Sequence, residues 1–294
     1  MDNTYRPLVP VNPKDLDSVA LALLNGTQSD EDGKEDDEEQ RNLDPTRVVA
    51  NPGSYIILPG KTHGTYSYPD LVVSMHRLGY NTDVDKTVRW MRQNNDWKNL
   101  QLQNSQKEAD GTDYIGNMNW NIALTLNNKL GNMTLNPRQF IDFKELLESG
   151  IAGKSKVHNG LGKKIDEPLL TAVYKEICEV REPWRAEWLD AAFTEQNGAL
   201  YVTIDHNLQG YNLKGRTELL EDHVREDSWI DVTSFNRQGL PTKKAKAQKL
   251  YYYSPIAGRV AGFVAYSDWA VLYCDWDPTD SDSSLGVRPV RKKI

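Results

Sequence analysis

Tyr251-Tyr252-Tyr253-Ser254-Pro255-Ile256-Ala257-Gly258-Arg259-Val260-Ala261-Gly262-Phe263-Val264-Ala265-Tyr266-Ser267-Asp268-Trp269-Ala270-Val271-Leu272-Tyr273-Cys274-Asp275-Trp276, running on to Arg288, is the stretch on which the fold turns. In a strand, successive side chains point to opposite faces. Ala261, Phe263 and Ala265 fall on one parity; Gly262, Val264, Tyr266 and Asp268 fall on the other. The parity then resets. Ala270, Leu272 and Cys274 share one face, and Trp269, Val271, Tyr273 and Asp275 share the opposite one. One face is therefore apolar and mostly small, while the other has no single chemical theme. A catalytic site has such a theme; a face that binds a ligand need not. Tyr, Trp, Ser, Gly and Asp are the vocabulary of binding loops, where rigid aromatics give area and small polar groups give adaptable hydrogen bonds. Seven Tyr or Trp between positions 251 and 276 are too concentrated to be scattered surface rings.

Upstream, the pattern is first helical. Tyr55-Ile56-Ile57-Leu58 reads as a strand ended by Pro59-Gly60. A helix is expected over Pro69–Leu78, with Gly79 as its stop, and a second from Val84 to about Gln93, with Val84, Val88 and Met91 on one face. Residues 94–116 read as loop. Asn119–Leu130 follows as a helix burying Trp120, Ala123, Leu124 and Leu126. The clearest helix is capped by Asn136, opened by Pro137, striped by Phe140, Phe143, Leu146 and Leu147, and ended by Gly150. Asp166 caps another, with Leu169, Val173, Tyr174 and Ile177 pointing inward. Leu200–Ile204 is a strand after the Asn197-Gly198 turn, residues 205–228 look irregular, and Trp229–Val232 is a short strand. Ser234–Lys249 is a lysine-rich loop. Helices before about residue 195 and strands after it are an α+β signature.

Charge and motifs exclude several chemistries. The net charge of -7 is carried by residues 30–39, which hold eight acids and one lysine, so the remainder is balanced and a general nucleic-acid binder is not expected. Residues 1–47 read as a flexible acidic tail, with Val19–Leu24 as one apolar patch. No run reaches membrane-spanning length, and Met1–Pro7 lacks an apolar signal core, so no signal peptide is expected. Gly60-Lys61-Thr62 does not make a phosphate loop, because Gly53 lies too far upstream. The five histidines show no metal-ligand spacing. Cys178 and Cys274 are expected as buried free thiols. Asp275, Asp277, Asp280 and Asp282 could supply oxygen ligands to calcium, but Asp280 and Gly286 stand where the EF-hand needs Gly and Glu. A polar rim on a binding surface fits this loop better. No cofactor and no metal are expected.

Ser283-Ser284-Leu285-Gly286-Val287-Arg288-Pro289-Val290-Arg291 resembles the final strand of the C-type-lectin-like fold in its formylglycine-generating branch. Arg185-Ala186-Glu187-Trp188-Leu189-Asp190-Ala191-Ala192-Phe193 is similar to that branch's Glu-Ala-Glu-Trp-Glu-x-Ala-Ala segment. Val260-Ala261-x-Phe263-x-Ala265-x-Ser267-x-x-Ala270-x-Leu272-x-Cys274, followed by Pro278, Ser281 and Ser283–Arg288, resembles the archaeal variable proteins of diversity-generating retroelements. In that family template adenines are randomised during reverse transcription, so an AAC codon can become Tyr, Asp, Ser, Gly, Val, Ile or Thr. Those types fill most x positions; Trp269 and Trp276 do not arise from AAC and depart from the pattern.

The resemblance implies an α+β C-type-lectin-like domain over 116–294 carrying a variable region at 251–288, after a helical region at 48–115 that it does not cover. The implied function is non-enzymatic recognition of a protein or glycan ligand on a cell or virion surface, with the protein itself surface-displayed or virion-associated. The implied ligand-binding residues are Tyr251, Tyr253, Ile256, Gly262, Val264, Tyr266, Asp268, Trp269, Val271, Tyr273, Asp275, Trp276, Asp277, Thr279, Asp280 and Asp282. A calcium-dependent lectin and a formylglycine-generating-type oxidase are the alternatives; the oxidase needs a pair of cysteines where this half of the chain has Cys274 alone.

Overall fold

A computed structural model describes residues 51–246, 250–266 and 269–293, without the Tyr266 side chain. The acidic tail, Lys249 and Asp268 lie outside the described residues. Among those described, four α-helices surround a large, mostly antiparallel eight-stranded sheet, with three small sheets beside it.

The large sheet is built from β7 (Arg185–Gln196), β8 (Ala199–Gln209), β9 (Asn212–Leu219), β10 (Ser228–Trp229), β11 (Leu250–Tyr253), β12 (Val260–Tyr266), β13 (Trp269–Trp276) and β14 (Leu285–Gly286). Its order is β10-β11-β13-β12-β7-β8-β9, with β14 on β7; the β11–β13 and β14–β7 pairs are parallel. The parities proposed for 261–274 are physically separate. Ala261, Phe263, Ala265, Ala270, Leu272 and Cys274 all lie at or below 6 % exposure in one core. That core is closed by α3 (Pro137–Ile151) and α4 (Glu167–Cys178); Phe140 of α3 meets Phe263 at 4.7 Å between ring centres. Val264 and Val271 point the other way, into a second core with α1 (Thr82–Met91) and α2 (Trp120–Lys129).

The helices follow their sequence signals. Asn136 and Gln139 form a reciprocal capping box at the start of α3, Asn119 caps α2 and Asp166 caps α4. Val84, Val88 and Met91 are buried on α1, and Trp120, Ala123, Leu124 and Leu126 on α2. On α4 the buried residues are Leu170, Val173, Glu176 and Ile177; Leu169 and Tyr174 are only partly buried.

Five expectations change. The region 48–115, expected to be helical, holds six strands and one α-helix among its described residues, so strands are not confined to positions after about 195. The helix expected at Pro69–Leu78 is instead the strand β4 (Leu71–Ser74), held between β1 (Tyr55–Leu58) and β15 (Val290–Lys292). All four β4 residues are buried, so its apolar run lacks the alternation of a half-exposed strand. Residues 94–116 contain a hairpin, β5 (Asn104–Lys107) and β6 (Asp113–Ile115), besides loop. The short strands β2 (Lys61–His63) and β3 (Tyr66–Tyr68) form another. The polar stretch after 204 continues β8 and returns as β9, a mostly exposed edge strand whose solvated side chains give no apolar period. The strand expected at Trp229–Val232 is only β10, because Ile230 leaves the ladder for a bridge to Lys244.

The segment from Arg288 to Lys292 is tied to β4 and β7. Arg288 is buried and holds Glu187 of β7 through contacts of 2.9 and 3.2 Å, while donating to the Ser74 and Met75 carbonyls at 3.0 and 2.8 Å. Next to it His76 has its Nδ1 3.8 Å from Glu108 and its Nε2 3.7 Å from Asp110. Burial pulls the His76 pKa down, but the two carboxylates outweigh burial and hold it above the ordinary 6.5. A pKa raised by folding gives stabilisation that is complete below the unfolded value and lost as pH rises through the folded one. Wild type is therefore expected to lose more of its urea midpoint than His76→Gln between about pH 6 and 8. Equal losses in the two proteins would assign the dependence to other groups.

Candidate functional site

The second face of the sheet is open where β10, β11 and β13 run past the helices. β11 alternates buried Leu250 and Tyr252 with half-buried Tyr251 and Tyr253. Its parallel register sets Tyr253 opposite Tyr273, and the two rings stack at 4.6 Å with 10° between planes. Tyr251 meets Tyr253 edge-on at 5.2 Å and Trp229 of β10 edge-on at 5.2 Å; Trp229 meets Trp269 at 5.3 Å. At the other end Tyr273 touches Trp276 at 4.8 Å, and Trp276 touches buried Trp188 at 5.0 Å. The rings form one continuous path. Edge-to-face and offset contacts of this kind fix ring orientation as well as burying area.

A bulge completes the path. Val260 pairs with Trp276 but Gly262 pairs with Tyr273, so β13 carries one residue more than β12 between these points. That residue breaks the alternation and sets Trp276 on the same face as Tyr273. The ring then lies on Gly262, where a β-carbon would stand only 2.6 Å from it. Simple parity puts Asp275 among the rings; the bulge takes it out of step with them.

The acidic loop is occupied by its own backbone and neighbours. Asp277 pairs with Arg259 and accepts from the Thr279 amide at 2.9 Å and hydroxyl at 2.6 Å; these hydrogen bonds, with Arg259, lower its pKa to about 2. Asp280 accepts from the Trp276 indole at 3.1 Å, and Asp282 accepts from the Ser284 amide at 2.7 Å. These bonds shape a turn around the end of the aromatic path. Among the described residues, no group of three or more His, Cys, Asp or Glu is placed to hold a metal ion.

Of the residues expected at the site, Tyr251, Tyr253, Trp269, Tyr273 and Trp276 come together on this surface. Gly262 lies under Trp276, whereas Val264 and Val271, expected at the site, are at 1 % and 0 % exposure inside the second core and not on the surface. Tyr266 pairs through its backbone with Trp269 at the hairpin end. Ile256, 54 % exposed, projects from the turn after β11. Asp277, Thr279, Asp280 and Asp282 line the neighbouring turn. The sequence reading missed Trp229 as a site residue, although its place on a short strand before the tyrosine run was the available signal.

A cavity of about 350 Å³ on the opposite side is lined by Lys144, Glu148, Tyr174 and Cys178, among others. Its polar groups are already partnered, with Lys144 2.6 Å and the Tyr174 hydroxyl 2.7 Å from Glu148. Burial pushes the Cys178 thiol up to about 12, which keeps it protonated and unreactive. Both cysteines are free thiols, Cys274 buried and Cys178 partly so. No helix among the described residues is long and apolar enough to cross a membrane.

Comparison of the chain with protein-family models, curated proteins and solved structures returned no match.

Proposed function

We propose that this chain is a non-enzymatic recognition protein with a C-type-lectin-like fold, and that the aromatic surface on β10, β11 and β13 binds its ligand. The observation that carries the reading is the division within single strands. In β13, Ala270, Leu272 and Cys274 are buried at 6 % or less in one core; of the opposite parity Val271 is buried in the second core, while Trp269 and Tyr273 on either side of it are only half-buried and join a ring surface. Large rigid rings on an accessible surface are the usual anchors of binding. The ligand is a protein or glycan on a cell or virion surface, and the displayed residues are the ones a retroelement diversifies. Two further features support the fold. The segments at 185–193 and 283–291 that resemble the formylglycine-generating branch are neighbours through the β14–β7 pair and the Glu187–Arg288 ion pair.

The experiment is a screen of arrayed surface proteins and glycans with the full chain and with its Tyr253→Ala/Tyr273→Ala variant. At least one ligand should be bound by the first and weakened about 30-fold or more in the second, the effect of losing a binding hot spot of about 2 kcal/mol. If every ligand found binds both proteins equally, the aromatic surface is not the site.

A further inference from the structure

The loop between α3 and α4 gathers lysines where the described chain begins. Lys154, Lys156, Lys163 and Lys164 are all exposed, and residues 152–165 contain no acid. The loop folds back on itself: His158 pairs with Lys164, the Ile165 amide donates to the Val157 carbonyl at 2.9 Å, and the Asn159 amide donates to the Lys163 carbonyl at 2.8 Å. Val157 and Ile165, at 2 % and 5 % exposure, face the core, so alternation turns Lys156 and Lys164 outward together. Lys144 and Lys175 on the flanking helices pair with Glu148 and Glu179, whereas none of the four loop lysines has an ion-pair partner among the described residues. Of the acids that follow, Asp166 accepts from the Leu169 amide at 3.2 Å as the cap of α4.

The same loop meets the first described residues. Ile56 pairs with Asn159, the Gly160 amide donates to the Tyr55 carbonyl at 2.9 Å, and the Ile57 amide donates to the His158 carbonyl at 2.8 Å. A β-carbon on Gly160 would stand 2.5 Å from the Pro52 carbonyl oxygen. Upstream in the sequence come residues 40–50 and, before them, residues 30–39, with eight acids against one lysine. Residues 40–50 reach at most about 40 Å, which keeps the acids within that distance of the lysines. A tether this short gives the two charged segments an effective concentration on the order of millimolar. One exposed lysine–carboxylate contact contributes little, but several on one tether act together.

We propose that the loop 152–165 is a polyanion-binding surface whose resident occupant is the chain's own segment 30–39. Four ammoniums without carboxylate partners lie beside the point where a segment of net charge -7 joins the fold. The segment keeps other polyanions off these lysines, and salt weakens its hold. The other lysine-rich loop, at 234–249, already pairs Lys244 with Glu226. The inference is independent of the aromatic surface, so the screen for a recognition ligand neither supports nor removes it.

The test uses an equal mixture of ¹⁵N-labelled and unlabelled full chain, cross-linked at low salt with a zero-length carbodiimide and mapped by mass spectrometry. Cross-links from residues 30–39 should join Lys154, Lys156, Lys163 or Lys164 of the same molecule, and outnumber those to Lys243, Lys244 and Lys246 by roughly tenfold. They should fade in about 1 M salt, where charges are screened within about 3 Å. Polyglutamate is then titrated. A chain with all eight acids of 30–39 changed to amides should bind it roughly tenfold more tightly than wild type. Adding Lys154→Gln/Lys156→Gln/Lys163→Gln/Lys164→Gln should abolish that gain, and adding Lys243→Gln/Lys244→Gln/Lys246→Gln should leave it. Every lysine replaced is exposed, so the melting temperatures should agree and separate lost binding from lost folding. Cross-links spread evenly over the exposed lysines, cross-links between molecules only, equal polyglutamate binding by wild type and the amide chain, or a gain that survives loss of the four loop lysines would overturn the inference.

Discussion

Replacing Arg288 by methionine is expected to destabilise the protein by roughly 3–5 kcal/mol, the cost of stranding one partner of a buried ion pair. Arg288 and Glu187 both have side chains at 2 % exposure. Loss of the guanidinium leaves the Glu187 carboxylate without its counter-charge, and takes the Arg288 donors from the Ser74 and Met75 carbonyls. The effect should be partly relieved in Glu187→Gln/Arg288→Met, where no charge is stranded, so the double variant should be more stable than Arg288→Met alone. Urea unfolding of the three proteins with an unchanged slope measures this. A loss below about 1 kcal/mol in the single variant would mean that the pair does not lock the chain's end to β7.

The second large effect is a contrast between neighbours. Leu272→Ala should cost about 2–5 kcal/mol, because Leu272 has 0 % exposure and sits between Phe263 and Tyr252 in the ladder. Tyr273→Ala, one residue on, removes a half-buried ring stacked on Tyr253 and should cost only about 1 kcal/mol. In binding the order reverses: Tyr273→Ala should weaken the array ligand and Leu272→Ala, where still folded, should not. Equal stability losses at the two positions would mean that the ring surface is part of the scaffold.

Much of this was legible in the residues. The alternation at 261–274 separated the two sides of the sheet, one packed in the first core and the other carrying Val264 and Val271 into the second, since period two leaves each strand residue one side to occupy. Asn136-Pro137 and Asp166 marked helix starts because a side-chain acceptor and a fixed φ act locally. What failed was non-local. Leu71-Val72-Val73-Ser74 is a strand because β1 and β15 flank it, and β15 lies more than 200 residues away in the chain. The edge strand β9 carries solvated side chains and no apolar signature. The bulge that aligns Trp276 with Tyr273 depends on a mismatch between two strands, which neither strand encodes alone. Trp229 joins the site through pairing with Tyr251, again a tertiary fact.

The central claim, that one face is fixed and the other diversified, is tested most directly by sequencing the locus and aligning codons 251–288 with any neighbouring template repeat beside a reverse transcriptase gene. The account predicts a near-identical repeat whose mismatches sit at template adenines and fall on codons such as 251, 253, 262, 266 and 273. Codons for Ala261, Phe263, Ala265, Ala270, Leu272 and Cys274 should match throughout. Absence of such a repeat, or mismatches spread evenly over both sets of codons, would contradict it.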